Sequence, residues 1–159
     1  MVSDKIKNII LKQWKKNGVD ASPGFFNMFG LNYSKNGNDI KKLVYEYYGG
    51  VENVLKRLNK LIDKKIHITD GGYDYYCKIM SFKRWHIDEP IYVEIEVDGD
   101  GEVFIFPEDK LENIKDAYNN EDYGWEIKDE MKDSINKWMY YNITEKFGID
   151  LEVDELFVV

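Results

Sequence analysis

Apolar residues recur along this chain with two different periods, and the switch between them organises it. Between Ser3 and Lys16 the residues Ile6, Ile9, Ile10 and Trp14 fall at helical spacing. Ser3 is placed to cap the first turn, and Asn17-Gly18 ends the pattern. Residues 18–37 contain Gly18, Pro23, Gly24, Gly30 and Gly37 and predict a loop. Phe25, Phe26, Met28, Phe29 and Leu31 need cover, so that loop is expected to pack onto the core. A second helix is predicted over about 39–48, capped by Asn38 or Asp39 and broken by Gly49-Gly50. A third, over about 51–63, carries the clearest amphipathic stripe: Val51, Val54, Leu55, Leu58, Leu61 and Ile62.

The period then becomes two. Ile66 and Ile68 alternate with polar residues, as do Tyr75, Cys77 and Ile79, and Gly71-Gly72 between them predicts a hairpin pairing Ile68 with Tyr75 and Ile66 with Cys77. Ile91, Val93, Ile95 and Val97 predict another strand. A second hairpin is expected through Asp98-Gly99-Asp100-Gly101, with Gly101 left-handed, Val97 facing Val103 and Ile95 facing Ile105. Further on, 108–118 reads as a short acidic helix. About 126–147 reads as a longer one with Ile127, Met131, Ile135, Trp138, Met139 and Phe147 inward, stopped by Gly148. Leu151 to Val158 is a closing strand. The expectation is α+β: N-terminal helices, a central antiparallel sheet of two hairpins, and a C-terminal helix packed on the sheet. A single domain spans 1–159, with a basic helical part at 1–64 and sheet plus acidic helices at 65–159.

Composition narrows the classes. The 24 aromatic residues among 159 exclude a disordered chain despite 33% charged residues. No apolar run approaches the ~18 residues that span a bilayer, and Met1 to Lys5 does not open a signal peptide. The lone Cys77 forms no intrachain disulfide, which fits the cytoplasm. Twenty of 22 basic residues are Lys and Ala occurs twice, a bias expected of an AT-rich genome such as a low-GC bacterium or its phages. The net charge of −8 conceals an asymmetry: residues 1–65 carry +7 and residues 66–159 carry −15.

Groups that carry catalysis are sparse. His67 falls on the outer side of its strand, beside Tyr76, and His86 lies in a loop before Asp88-Glu89. Cys77 falls on the inner face, where a thiol is inert. No zinc or P-loop spacing occurs. Asp98 to Glu102 suggests a calcium loop, but Val103 stands where that loop needs glycine and Asp109 where it needs Glu. No catalytic residue, metal ligand or cofactor is assigned.

Two macromolecular readings remain. Helix, Gly49-Gly50 turn, basic helix and Gly-tipped hairpin over 39–82 resemble a winged helix-turn-helix. That resemblance implies Lys56, Arg57 and Lys60 at DNA, with Lys65 and Lys78 as wing contacts. The other reading takes acidity as function. Glu94, Glu96, Asp98, Asp100, Glu102, Glu121, Asp122, Asp129, Glu130 and Asp133 match a basic groove built for nucleic acid, and Trp85, Phe104, Phe106, Tyr123 and Trp125 are candidate anchors. Small size, a single cysteine, low-GC usage and the absence of motifs resemble phage or mobile-element anti-defence proteins, and among them the staphylococcal-type anti-CRISPR inhibitors of type II Cas9. The resemblance implies a non-enzymatic inhibitor whose partner is Cas9 with its guide RNA, without a membrane.

Overall fold

Helix α1, Asp4–Asn17, begins where expected because Ser3 Oγ accepts the Ile6 amide and Asp4 sits in the first turn. The computed structural model describes residues 2–19, 22–84, 86–104 and 113–159. Part of the expected loop is helical. Ser22 caps the single turn α2, Pro23–Asn27, with Pro at its start. That turn buries Phe25 and Phe26 and points Met28 outward at 74% exposure, so Met28 does not find the cover expected of it. α3 covers Tyr33–Tyr48, starting six residues before the sequence estimate. Asn32, not Asn38 or Asp39, is its cap, accepting from the Lys35 amide at 2.8 Å. The weak helix formers Asn36 and Gly37 are carried by this cap and by buried Ile40, Leu43 and Val44 beyond them. α4 is only Val51–Leu58, and Asn59–Leu61 tightens to a 3-10 turn. Lys60 therefore leaves the α-helix that carries Lys56 and Arg57.

The hairpin of β1, Lys65–Asp70, and β2, Tyr73–Lys83, has the expected register, with Ile68 opposite Tyr75 and Ile66 opposite Cys77. β3, Ile91–Val97, pairs with β2 on both sides of a bulge between Ile79 and Ser81. The second hairpin does not form. β4, Glu102–Val103, also pairs with β2, Val103 lying opposite Tyr73 rather than Val97. Val97 lies opposite Cys77, so β3 and β4 follow one another along the same edge of β2. Asp98 to Gly101 are a protrusion in that line. The expected partner Ile105 lies outside the described residues, as do Phe106, Trp85 and the first part of the acidic helix, 108–112.

Long-range hydrogen bonds explain why the protrusion does not reverse the chain. Gly99 N–H donates to Val159 O, while Gly99 and Gly101 carbonyls accept from Lys115 and Ile114. Gly101 is absent from the left-handed residues; it is glycine because a Cβ there would lie 2.4 Å from Tyr75 Cβ. α5, Ile114–Tyr118, is capped by Asn113.

The long C-terminal helix has a fault. α6 is Gly124–Met139, Tyr140–Thr144 form a π-helical turn, and Glu145–Phe147 form α7. A π turn inserts a residue and rotates everything after it. Ile127, Met131, Ile135, Met139 and Ile143 stay buried, but Phe147 is turned outward, against the sequence expectation. β5, Leu151–Val158, closes the sheet beside β3. Ile91 N–H bonds Asp150 O and Val159 N–H bonds Val97 O, advancing together along both strands, so β5 runs parallel to β3. The fold is α+β as expected, but its sheet is mixed, and among the described residues the one tight hairpin is β1–β2. Among the described residues no helix is long and apolar enough to cross a membrane.

The chain divides into two compact units. One holds Met1–Leu58, Arg84–Ile91 and Met139–Leu151; the other holds Asn59–Lys83, Tyr92–Trp138 and Glu152–Val159. Division by contact softens the charge contrast. The first unit has 12 basic and 9 acidic residues, net +3; the second has 10 and 21, net −11. The first unit centres on buried Trp14, Phe26, Ile40 and Val44, the second on Ile79, Ile95, Ile114 and Met131.

Buried tyrosines make the fold sensitive to alkali. Burial pushes the Tyr48 phenol up to about 12 and raises Tyr73 and Tyr75 as well. An unfolded tyrosine loses its proton near pH ~10. Between that pH and the folded value the native state holds protons that the unfolded state has released, so stability falls as pH rises. Tyr48 alone is expected to remove about 2 kcal/mol between pH ~10 and ~12. Urea melts across that range test this, and Tyr48→Phe is expected to flatten the decline. An unchanged slope in Tyr48→Phe would refute the assignment.

Candidate functional site

Alternation along the sheet gives the second unit two unlike faces. Odd-numbered residues from Tyr73 to Ile79 and from Ile91 to Val97 are buried. The Tyr75 hydroxyl donates to Met131 O at 3.5 Å, so α6 covers that face. The even-numbered residues of β2 from Tyr76 to Met80 are exposed, and those of β3 are half-buried on the same face. There Tyr76 stacks on His67 at 4.5 Å, and Lys65 Nζ lies 4.2 Å from its ring centre. Glu94 is paired with Lys83, and Glu96 sits opposite Lys78. Opposite charges across strands support the sheet by roughly 0.2–1 kcal/mol each. Glu94 is thus engaged within the sheet and Glu96 lies across from Lys78 in register, both on the side away from α6.

The other expected partner-binding residues divide further. Asp98 Oδ1 accepts the Asp100 amide at 3.0 Å and shapes the protrusion between β3 and β4. Asp100 and Glu102 are exposed near it, and Phe104 follows, also exposed. Glu130 accepts a hydrogen bond from the Tyr73 hydroxyl. Asp129 and Asp133 lie four residues apart on α6 and are both exposed. The acids are thus distributed over three elements: Glu94 and Glu96 on β3, Asp98, Asp100 and Glu102 at the protrusion and the start of β4, and Asp129, Glu130 and Asp133 on α6.

The side chains of α6 are sorted by direction. Lys128 reaches Glu155 at 3.8 Å, and Lys132 Nζ donates to Asp154 O at 3.0 Å. Asn136 Oδ1 accepts the Val153 amide at 2.9 Å, covering polar groups of β5. On its other side Glu130 holds Tyr73, Ser134 donates to Asp70 at 2.8 Å, and Lys137 reaches Asp70 at 3.6 Å. Between these flanks, Trp125, Asp129 and Asp133 recur every four residues and share one ridge. Trp125, at 65% exposure, is a large apolar surface beside two carboxylates. These residues are identifiable in the sequence one by one, and their grouping comes from the helix. The i, i+4, i+8 spacing was the available signal; the inward use of Lys128 and Lys132 was not visible.

The histidine cluster does not form a proton relay. Asp74 Oδ1 and the Thr69 hydroxyl both approach His67 Nε2, the latter at 3.4 Å. A relay places hydroxyl and carboxylate on opposite ring nitrogens. Cys77 is buried, and burial pushes its thiol up to about 12, so it is not a nucleophile at neutral pH. Among the described residues no group of three or more His, Cys, Asp or Glu side chains is arranged to hold a metal.

The residues of the DNA reading sit on the first unit's edge and just past it. Lys56, Arg57 and Lys60 are exposed, and the Arg57 guanidinium rests 5.0 Å from the Tyr48 ring centre. α3 and α4 belong to the first unit, and the β1–β2 hairpin to the second. No family model matches the chain, and neither a curated protein nor a solved structure does, so the chemistry of these surfaces alone carries the functional reading.

Proposed function

We propose that this protein is a non-enzymatic inhibitor that binds the basic surface of a nucleic-acid-handling enzyme in the cytoplasm of a bacterial host. The α6 ridge carries the reading. Its lysines are spent on the sheet, which leaves Asp129 and Asp133 to oppose a basic groove and Trp125 to fill an apolar notch in it. Buried aromatic anchors dominate such interfaces, while surrounding charge sets approach rate and register. The specific form is an anti-CRISPR protein that blocks a nuclease domain of type II Cas9 loaded with guide RNA.

A cleavage assay with purified guide-loaded Cas9 tests the specific form. Inhibition is expected, and Trp125→Ala is expected to weaken it by about 2 kcal/mol, roughly thirtyfold. Uninhibited cleavage at excess protein removes Cas9 as the target. The second reading is a winged-helix regulator, favoured by exposed Lys56, Arg57 and Lys60. It expects salt-dependent retention of duplex DNA that falls in Lys56→Ala and Arg57→Ala. Absence of retention at low salt removes it.

A further inference from the structure

A cavity of about 240 Å³ opens within the first unit. Ile40 and the tyrosine rings 33 and 140 give it apolar walls; Lys41, Glu145 and Asp150 add charges of both signs. These three come from α3, from the start of α7 and from the segment after it. Among the described residues none of the three is in an ion pair.

The local backbone is built to hold this arrangement. The π-helical turn supplies Tyr140 and Thr144 to the wall. Such turns are rare and concentrate at functional sites. Thr144 Oγ1 donates to Ile149 O at 2.7 Å, and left-handed Gly148 reverses the chain between them. That hook brings Asp150 back to the cavity. Loss of water holds the Asp150 carboxyl above its ordinary range, and nearby Lys41 opposes the effect. Asp150 is exposed at the rim of the cavity, where its carboxylate is open to a cationic hydrogen-bond donor.

We propose that this cavity binds a free α-amino acid with a large apolar side chain, its ammonium on Asp150 and Glu145 and its carboxylate on Lys41. The side chain then lies against Ile40 and the tyrosine rings. Volume and charge both select this class. Drug-sized ligands occupy pockets of roughly 300–1,000 Å³, so this cavity suits something smaller. A simple amine would leave Lys41 facing its ammonium, and a simple acid would face two carboxylates. A zwitterion satisfies both signs. This inference is independent of the α6 ridge.

Calorimetric titration of the full chain with L-phenylalanine, L-leucine, phenethylamine and 3-phenylpropionate tests it. Saturable binding of at least one amino acid is expected, with Kd on the order of 1 mM or tighter. The amine and the acid are each expected to bind about tenfold more weakly than phenylalanine or leucine, whichever is tighter. Asp150→Asn and Lys41→Met are each expected to lose about tenfold in affinity. Absence of saturable binding by both amino acids overturns the proposal. So does an amine or acid that binds as tightly as the amino acid, or two folded variants of unchanged affinity. The ligand series on the unaltered chain decides the matter even where a variant loses stability.

Discussion

Replacing Trp14 with alanine is expected to lower the unfolding free energy by roughly 3–5 kcal/mol. The side chain is fully buried in the first unit. Its ring stacks on Phe25 at 6.0 Å and meets Phe26 and Tyr47 edge-on at 6.0 and 5.6 Å. Alanine removes all three contacts and leaves a void that rigid aromatic neighbours fill only in part. Trp14→Phe separates shape from polarity. Among the described residues Trp14 Nε1 has no hydrogen-bond partner, so phenylalanine sacrifices no bond and removes a buried unpaired donor. Its cost is expected to be less than half that of alanine. Urea unfolding measures both, read as midpoint shifts at constant m. Equal losses for the two variants would show that filling this space is not what Trp14 contributes.

Gly101→Ala is expected to cost roughly 3 kcal/mol, near the upper end for overpacking. The added Cβ would lie 2.4 Å from Tyr75 Cβ, 2.7 Å from Ile114 Cδ1 and 3.1 Å from Tyr75 Cα. Ile114 is itself fully buried, and Tyr75 is held in the β1–β2 ladder opposite Ile68 and cannot retreat alone. Gly37→Ala is the control. Nothing lies within 4 Å of that Cβ, and the residue is inside α3 with ordinary backbone angles. There alanine is expected to stabilise by about 0.4–1 kcal/mol. Thermal melts give the two signs directly. A neutral Gly101→Ala would mean that the protrusion moves away from β2 at little cost.

These glycines show what was legible before the structure. Gly71-Gly72 was read through a local rule, a two-residue hairpin loop, and local information was enough. Asp98 to Gly101 satisfied a rule of the same kind and folds otherwise. The outcome there depends on amides and carbonyls from Val159, Ile114 and Lys115, which no window around residue 100 contains. The candidate site divides in the same way. Acidic residues and exposed aromatics were identifiable one by one. Their fate depends on which side chains face them: Lys83 pairs with Glu94, and the Tyr73 hydroxyl donates to Glu130. Asp129 and Asp133 share one ridge of α6 with Trp125.

Sequence alone determined the helix and strand periods, the Ser3 cap, the hairpin register and the identity of most core residues. Each follows from spacing within a few residues and from the exclusion of apolar surface from water. Tertiary structure decided the rest. It placed β5 parallel to β3, drew β4 along β2, turned Phe147 outward after the π turn, and divided the acids between two sides of a sheet. These outcomes balance hydrogen bonds and charges contributed by distant segments. Several partners satisfy each group locally, and only packing of the whole chain selects among them.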